Sequence, residues 1–116
     1  MQDYRDGQCY LCTILDNDHF PKMYTEEHHV FGGTANRKLS EHYGLKVRLC
    51  LKHHTAGPAA VHQNAENMDL LHKAGEIAFI KKHSFTEFMD VFGKNYLDPE
   101  EIKKYIEDDH ENKREV

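Results

Sequence analysis

Residues 45–54 read LKVRLCLKHH, and this stretch decides which fold we expect. Apolar and cationic side chains alternate from its first residue, which predicts a strand over residues 45–50 with one buried face. Lys46 and Arg48 would then lie on the outer face. The strand leads directly into the histidine pair His53-His54, so a structural pattern and a set of reactive side chains meet at one place.

A second strand-like run lies upstream, at residues 28–31, and also begins with a histidine pair, His28-His29. It stops at Gly32-Gly33, a typical strand boundary. We therefore expect a β-hairpin of these two runs. Residues 34–44 are polar and lack periodicity, which predicts a loop between the strands.

Helical patterns dominate the rest of the chain. Apolar residues at helical spacing predict one long amphipathic helix from near Pro58 to Lys82. Ser84-x-x-Glu87 is a capping box, and Gly93 is a C-terminal cap for the helix between them. A third helix opens at Asp98. The fold class is therefore α+β, a β-hairpin plus a helix with further C-terminal helices.

Composition limits the remaining possibilities. The chain of 116 residues is long enough for one domain, with a core at about residues 8–97 and a C-terminal helix and charged tail at 98–116. No apolar run is long enough to span a membrane and no signal segment is visible, so we expect no membrane partner and a cytoplasmic location. Three cysteines, an odd number, favour metal binding over a disulfide framework.

Two matching half-sites indicate a structural zinc. Cys9-x-x-Cys12 and Cys50-x-x-His53 each leave a gap of two residues, which lets both side chains reach one tetrahedral ion. We expect a knuckle-like turn around the first half-site, at residues 8–15. The fourth ligand is His53 by spacing, with the adjacent His54 as the alternative. The plain alternative is three free cysteines.

The other histidines leave two interpretations open. Neighbouring strand residues point to opposite faces, so a regular strand cannot direct both His28 and His29 at one atom. They form either part of a shared site at a twisted strand end or a surface pair without a role. His54 and His62 could complete such a site, although His62 could also be a partly buried helix residue. We expect His72 and His83 to be ordinary surface residues. The chain has ten histidines, and the two adjacent pairs among them are what needs an explanation.

The order of these motifs resembles the HNH, or ββα-metal (His-Me finger), endonuclease superfamily. The resemblance covers about residues 8–63 and more loosely 84–97. It is nearest to the phage and bacterial branch that includes the RecA-dependent recombination-enhancement nuclease. The motifs that carry it are Cys9-x-x-Cys12, His28-His29-Val30-x-Gly32-Gly33, Val47-x-Leu49-Cys50-x-x-His53-His54, Gly57, His62 and Phe92-Gly93-x-x-Tyr96.

The resemblance implies a metal-dependent endonuclease of a bacterial or phage-infected cell that hydrolyses DNA phosphodiester bonds. It makes His29 the general base that activates water, and His28, His54 and His62 the ligands of a catalytic cation. That cation would be Mg²⁺ or Mn²⁺, with Zn²⁺ or Ni²⁺ as alternatives. Many members carry an asparagine before the second strand that holds the loop, and residues 43–46 contain none.

Charge distribution bears on the partner. The net charge is −5, yet residues 37–54 carry five cations against one acid. The expected DNA contacts are Arg37, Lys38, Lys46 and Arg48. An acidic chain predicts weak, salt-sensitive binding, so we expect a DNA-bound protein or a particular DNA structure to recruit it.

The rival functions are a non-catalytic zinc-stapled module that binds nucleic acid or protein, and a histidine-rich metal carrier.

Overall fold

The computed structural model describes residues 7–105 and is mixed α+β, as predicted. Residues 99–105 form a helical segment after the last complete helix. The elements, in chain order, are α1 (Tyr10–Asp16), β1 (Glu26–His29), α2 (Thr34–Tyr43), β2 (Lys46–Leu49), α3 (Leu51–His54), α4 (Ala65–Lys82) and α5 (Phe85–Phe92).

The two strands pair antiparallel, which confirms the predicted hairpin. Glu26 lies opposite Leu49, and His29 lies opposite Lys46. The first strand begins two residues earlier than the predicted 28–31 and ends at His29. Val47 and Leu49 are fully buried while Lys46 and Arg48, which alternate with them, are half-buried, as the pattern requires.

The connection between the strands is a helix, so the prediction of a loop over residues 34–44 was wrong. The inward-facing residues of α2 are at helical spacing (Asn36, Leu39, Ser40 and Tyr43), but two of the four are polar, so the apolar residues alone do not reveal the helix. A single buried side chain fastens it to the end of the first strand. Ser40 Oγ accepts from the Phe31 backbone N–H at 3.1 Å and donates to the Phe31 carbonyl at 3.1 Å. Gly44, with φ +69°, ends the helix and turns the chain into β2.

The first cysteine pair lies on a helix instead of the predicted knuckle-like turn. Cys9 is the N-cap of α1, and its Sγ accepts from the Cys12 backbone N–H at 3.5 Å. A two-residue gap from an N-cap to the first turn brings both sulfurs to one end of the helix. The two sulfurs of the predicted half-site therefore do lie together, but a helix positions them instead of a turn.

The long helix begins at Ala65, seven residues later than the predicted start near Pro58. Turns fill residues 57–63, and Asn64 caps α4 by accepting from the Asn67 backbone N–H at 3.0 Å. The Asn67 side chain in turn donates to the Ala59 carbonyl at 2.9 Å. These bonds fold the segment back, and the Val61 backbone N–H reaches the His53 carbonyl at 2.8 Å.

The C-terminal helices follow their sequence signals. The Ser84 hydroxyl accepts from the Glu87 backbone N–H at 3.0 Å, and Gly93 ends α5 with φ +74°. Asp98 and Glu101 cap the segment 99–105 reciprocally, with bonds of 2.9 and 3.2 Å. The remainder of the predicted C-terminal helix and charged tail, residues 106–116, lies outside the described residues.

The core lies between the hairpin and helices α4 and α5. Its largest fully buried side chains are Phe31, Phe79, Phe88, Leu11, Leu49 and Leu71. Among the described residues, no helix has the length and apolar character to cross a membrane. Gly75 on α4 brings this helix close to the end of the first strand. A Cβ at that position would lie 2.7 Å from Val30 Cγ1 and 3.0 Å from Phe31 Cε2.

We expect Gly75→Ala to lower the free energy of unfolding by about 1–3 kcal/mol, because the added methyl overpacks this contact. Urea denaturation measures the change. Gly32→Ala is the matched control, since its Cβ would meet nothing within 4 Å. A gain of about 1 kcal/mol for Gly75→Ala, as helix propensity alone predicts, would contradict the packing.

Candidate metal centres and hairpin site

Three cysteines and one histidine converge at the junction of α1, β2 and α3. His53 Nδ1 lies 3.4 Å from Cys12 Sγ and 3.5 Å from both Cys9 Sγ and Cys50 Sγ. Cys12 Sγ and Cys50 Sγ are 3.8 Å apart. Ligands on a tetrahedral zinc, with Zn–S of about 2.3 Å and Zn–N of about 2.0 Å, lie roughly 3.6 Å (N to S) and 3.8 Å (S to S) apart. The buried cluster could therefore hold a structural metal such as zinc.

The chemistry of the donors fits the same ion. Burial, and then the neighbouring Cys9 and Cys50, raise the pKa of the Cys12 thiol to about 12. Three crowded sulfurs cannot share negative charge unless a cation balances it. Burial lowers the pKa of His53, so its imidazole is neutral at neutral pH and can act as a ligand.

A second cluster unites His28, His54 and His62. The ring centroids are 5.3 Å (28 to 54), 5.6 Å (28 to 62) and 5.4 Å (54 to 62) apart, close to an equilateral triangle. One nitrogen from each ring lies within 4.8 Å of the others. Imidazoles bound to one tetrahedral ion have centroids about 5 Å apart, so the triangle has the right size. We call these three residues the histidine triad.

His28 is the buried member of the histidine triad. It is 8% exposed, and within residues 7–105 its Nε2 has no hydrogen-bond partner. Burial, and then the neighbouring His54 and His62, lower the pKa of His28 to about 4. The ring is therefore neutral at neutral pH. A buried ring nitrogen without a partner is costly, and a bound ion would remove that cost.

The other two members are arranged as metal ligands commonly are. His54 Nδ1 lies 3.1 Å from Glu26 Oε1, which leaves Nε2 free to face the histidine triad. A carboxylate behind a histidine in this way orients the ring and fixes its tautomer. His62 is exposed, so one side of the triangle is open to solvent. Three histidines would leave the fourth position of a tetrahedral ion unfilled. Catalytic metal sites keep such a position open, whereas structural sites fill it with a fourth protein ligand.

His29 faces away from the histidine triad, because strand residues alternate. Its Nε2 lies 2.8 Å from Glu41 Oε2. Beside it is an open cleft of 590 Å³, lined by His29, Thr34, Arg37, Lys38 and Glu41. The two exposed cations on α2 therefore share a cleft with the predicted general base.

The two cations of β2 have partners within the chain. Lys46 Nζ lies 3.1 Å from Glu41 and 3.6 Å from Glu27. Arg48 donates from Nε to Thr25 Oγ1 at 3.1 Å and from its terminal nitrogen to the Thr25 carbonyl. Of the four expected DNA contacts, Arg37 and Lys38 thus line the cleft, whereas these two contact neighbouring protein groups.

Sequence reasoning missed three participants. Glu26 is two residues from His28 on the same face of the strand, so the alternation could have revealed it. Glu41 lies on a helix that the sequence did not predict. His72 is half-buried instead of an ordinary surface residue, with its ring 5.5 Å from that of Phe31 and 4.5 Å from that of Tyr96.

Comparison of the chain with family models, with curated proteins and with solved structures gave no match.

We expect zinc binding to depend on His53 and not on the adjacent His54. His53→Ala should abolish stoichiometric zinc in natively purified protein, because it removes one of four ligands. His54→Ala, the matched neighbour, should retain one zinc per chain, since its ring lies in the histidine triad. Elemental analysis measures both. Loss of zinc from His54→Ala with retention in His53→Ala would contradict the assignment.

Proposed function

We propose that the chain is a metal-dependent endonuclease that hydrolyses DNA phosphodiester bonds. The observation that carries the proposal is the histidine triad. It combines a buried His28 Nε2, which has no hydrogen-bond partner within residues 7–105, with an exposed third ligand, His62. A structural role would explain the closed cysteine cluster. It would leave three converging imidazoles without a purpose.

His28, His54 and His62 would hold the cation. Bound there, it would act as a Lewis acid on the phosphate and stabilise the departing 3′ oxygen. Three imidazole ligands suit Mn²⁺, Ni²⁺ or Zn²⁺ better than Mg²⁺, which prefers oxygen ligands. Glu26 would keep His54 in the tautomer that ligates through Nε2.

His29 is the proposed general base. It is the last residue of β1, so a phosphate at this end of the hairpin could contact the cation on one face and the His29 ring on the other. The ring would accept a proton from the attacking water as the water oxygen bonds to phosphorus and the bond to the 3′ oxygen breaks. General-base assistance of this kind is typically worth about 10²–10⁴ in rate.

The proposed substrate follows from the cleft beside His29. Arg37 and Lys38 line it and are exposed, so they can neutralise phosphates on either side of the scissile bond. Few cations and a net charge of −5 favour weak binding to plain duplex DNA. Recruitment by a DNA-bound protein, or by a particular DNA structure, is accordingly part of the proposal.

The rival proposal is a non-catalytic module that binds nucleic acid or protein, and the closed cysteine cluster is the observation that favours it. Such clusters staple small binding modules as readily as they staple enzymes. Metal titration separates the two functions. A module should bind one tight zinc alone, whereas the nuclease should also bind a weaker second cation.

We expect His29→Ala to reduce nicking of supercoiled plasmid about 10²–10⁴-fold in Mn²⁺ while the zinc and the fold remain. His62→Ala should abolish the nicking that requires Mn²⁺, because it removes a ligand of the cation. Since His62 is exposed, this change should leave the core intact. His19→Ala, an exposed histidine on the loop before β1, is the control and should cut like the wild type. Near-full activity in both site variants would reject His29 and the histidine triad as the site of cleavage.

A further inference from the structure

The contact between His29 and Glu41 joins the first strand to the helix between the strands. The His29 side chain is 16% exposed, so its ring has little freedom to find other partners. Glu41 Oε2 lies 2.8 Å from Nε2, and Glu27 Oε1 is farther away, at 4.0 Å. Glu41 is thus the carboxylate within hydrogen-bonding distance of this ring nitrogen, and Glu27 is beyond it.

An ionised carboxylate can only accept hydrogen bonds. A bond from Nε2 to Glu41 therefore requires the proton of the neutral ring to be on Nε2. Nδ1 then carries the lone pair, and it is the nitrogen that can accept a proton. The partner at one nitrogen thus decides which nitrogen is basic.

Lys46 holds the Glu41 carboxylate from the other side. Its Nζ donates to Glu41 Oε1 at 3.2 Å and lies 3.1 Å from Oε2. Lys46 is also the strand partner of His29, so these two side chains share one face of the hairpin, and Glu41 of helix α2 contacts both. Hydrogen bonds from His29 and then from Lys46 hold the pKa of Glu41 below its usual range, which keeps it ionised.

We propose that Glu41 is a positioning residue that fixes the Nε2–H tautomer of His29, so that Nδ1 faces the attacking water as the base. The proposal rests on the nuclease function proposed above. It gives Lys46 a different task from the expected DNA contact, since this cation anchors Glu41. It also supplies a tie between helix α2 and the strands in a chain without the usual asparagine at residues 43–46.

The direct test is the tautomer of His29 in ¹⁵N NMR spectra of the zinc-loaded full chain, at a pH where the imidazoles are neutral. Wild type should show Nε2–H alone. Glu41→Gln keeps the shape of the side chain, but its amide can both donate and accept, so an Nδ1–H population should appear. Glu27→Gln is the matched control. It removes the same charge from a second partner of Lys46 and should leave the tautomer unchanged.

Cleavage kinetics supply the second measurement. Glu41→Gln should lower kcat for plasmid nicking about 10–100-fold, the range typical of groups that orient a functional side chain, with little change in KM. The loss should be smaller than that of His29→Ala. Glu27→Gln should retain the wild-type kcat and KM.

These measurements distinguish failure of the proposed role of Glu41 from failure of the proposed nuclease function. Wild-type protein that cuts in none of Mn²⁺, Ni²⁺, Zn²⁺ and Mg²⁺ rejects the enzyme, whatever the tautomer. Where wild type does cut, a wild-type tautomer in Glu41→Gln, or a wild-type kcat in that variant, overturns the role of Glu41 alone. An Nδ1–H ring in wild type overturns it as well.

Discussion

The convergence of Cys9, Cys12, Cys50 and His53 is the constraint on which the candidate site depends. It joins the N-terminal helix α1 to the start of α3, a helix of only four residues. Isolated helices of that length are not stable, so α3 needs an external tie. Because His54 directly follows His53, holding the His53 ring in the cysteine cluster also fixes the position of the His54 backbone. The orientation of His54 toward the histidine triad follows from that tie.

Strand β1 places its two histidines on opposite faces. Alternation sends His28 inward to the histidine triad and His29 to the cleft on the other face. Each ring meets a carboxylate of its own neighbourhood: Glu26 supports the triad through His54, and Glu41 contacts His29. A hairpin of four-residue strands thus carries two spatially separate sets of polar side chains.

Local patterns in the sequence predicted the hairpin, the capped helix α5 and the zinc half-sites, because each has a short signature. Alternation at residues 45–50 and the spacing of Cys9, Cys12, Cys50 and His53 needed no information from distant parts of the chain. Helix α2 was not predicted because its buried side chain, Ser40, is polar, and its end is set by Gly44, so a search for apolar periodicity does not find it. The late start of α4 depends on Asn64 and Asn67, whose hydrogen bonds could be assigned only with the fold in hand. Of the two carboxylates behind the histidines, Glu41 depends on the same long-range geometry, since it lies on the unpredicted helix α2.

The central claim is that the chain has two metal sites of different kinds, one closed and one open. Anomalous diffraction from crystals of natively purified protein soaked in Mn²⁺ tests it most directly, with data at the zinc and manganese absorption edges. The account predicts a zinc peak among the three cysteines and His53, and a manganese peak between His28, His54 and His62. A manganese peak at Glu27, His29 and Glu41, or an empty histidine triad beside a filled zinc site, would contradict it.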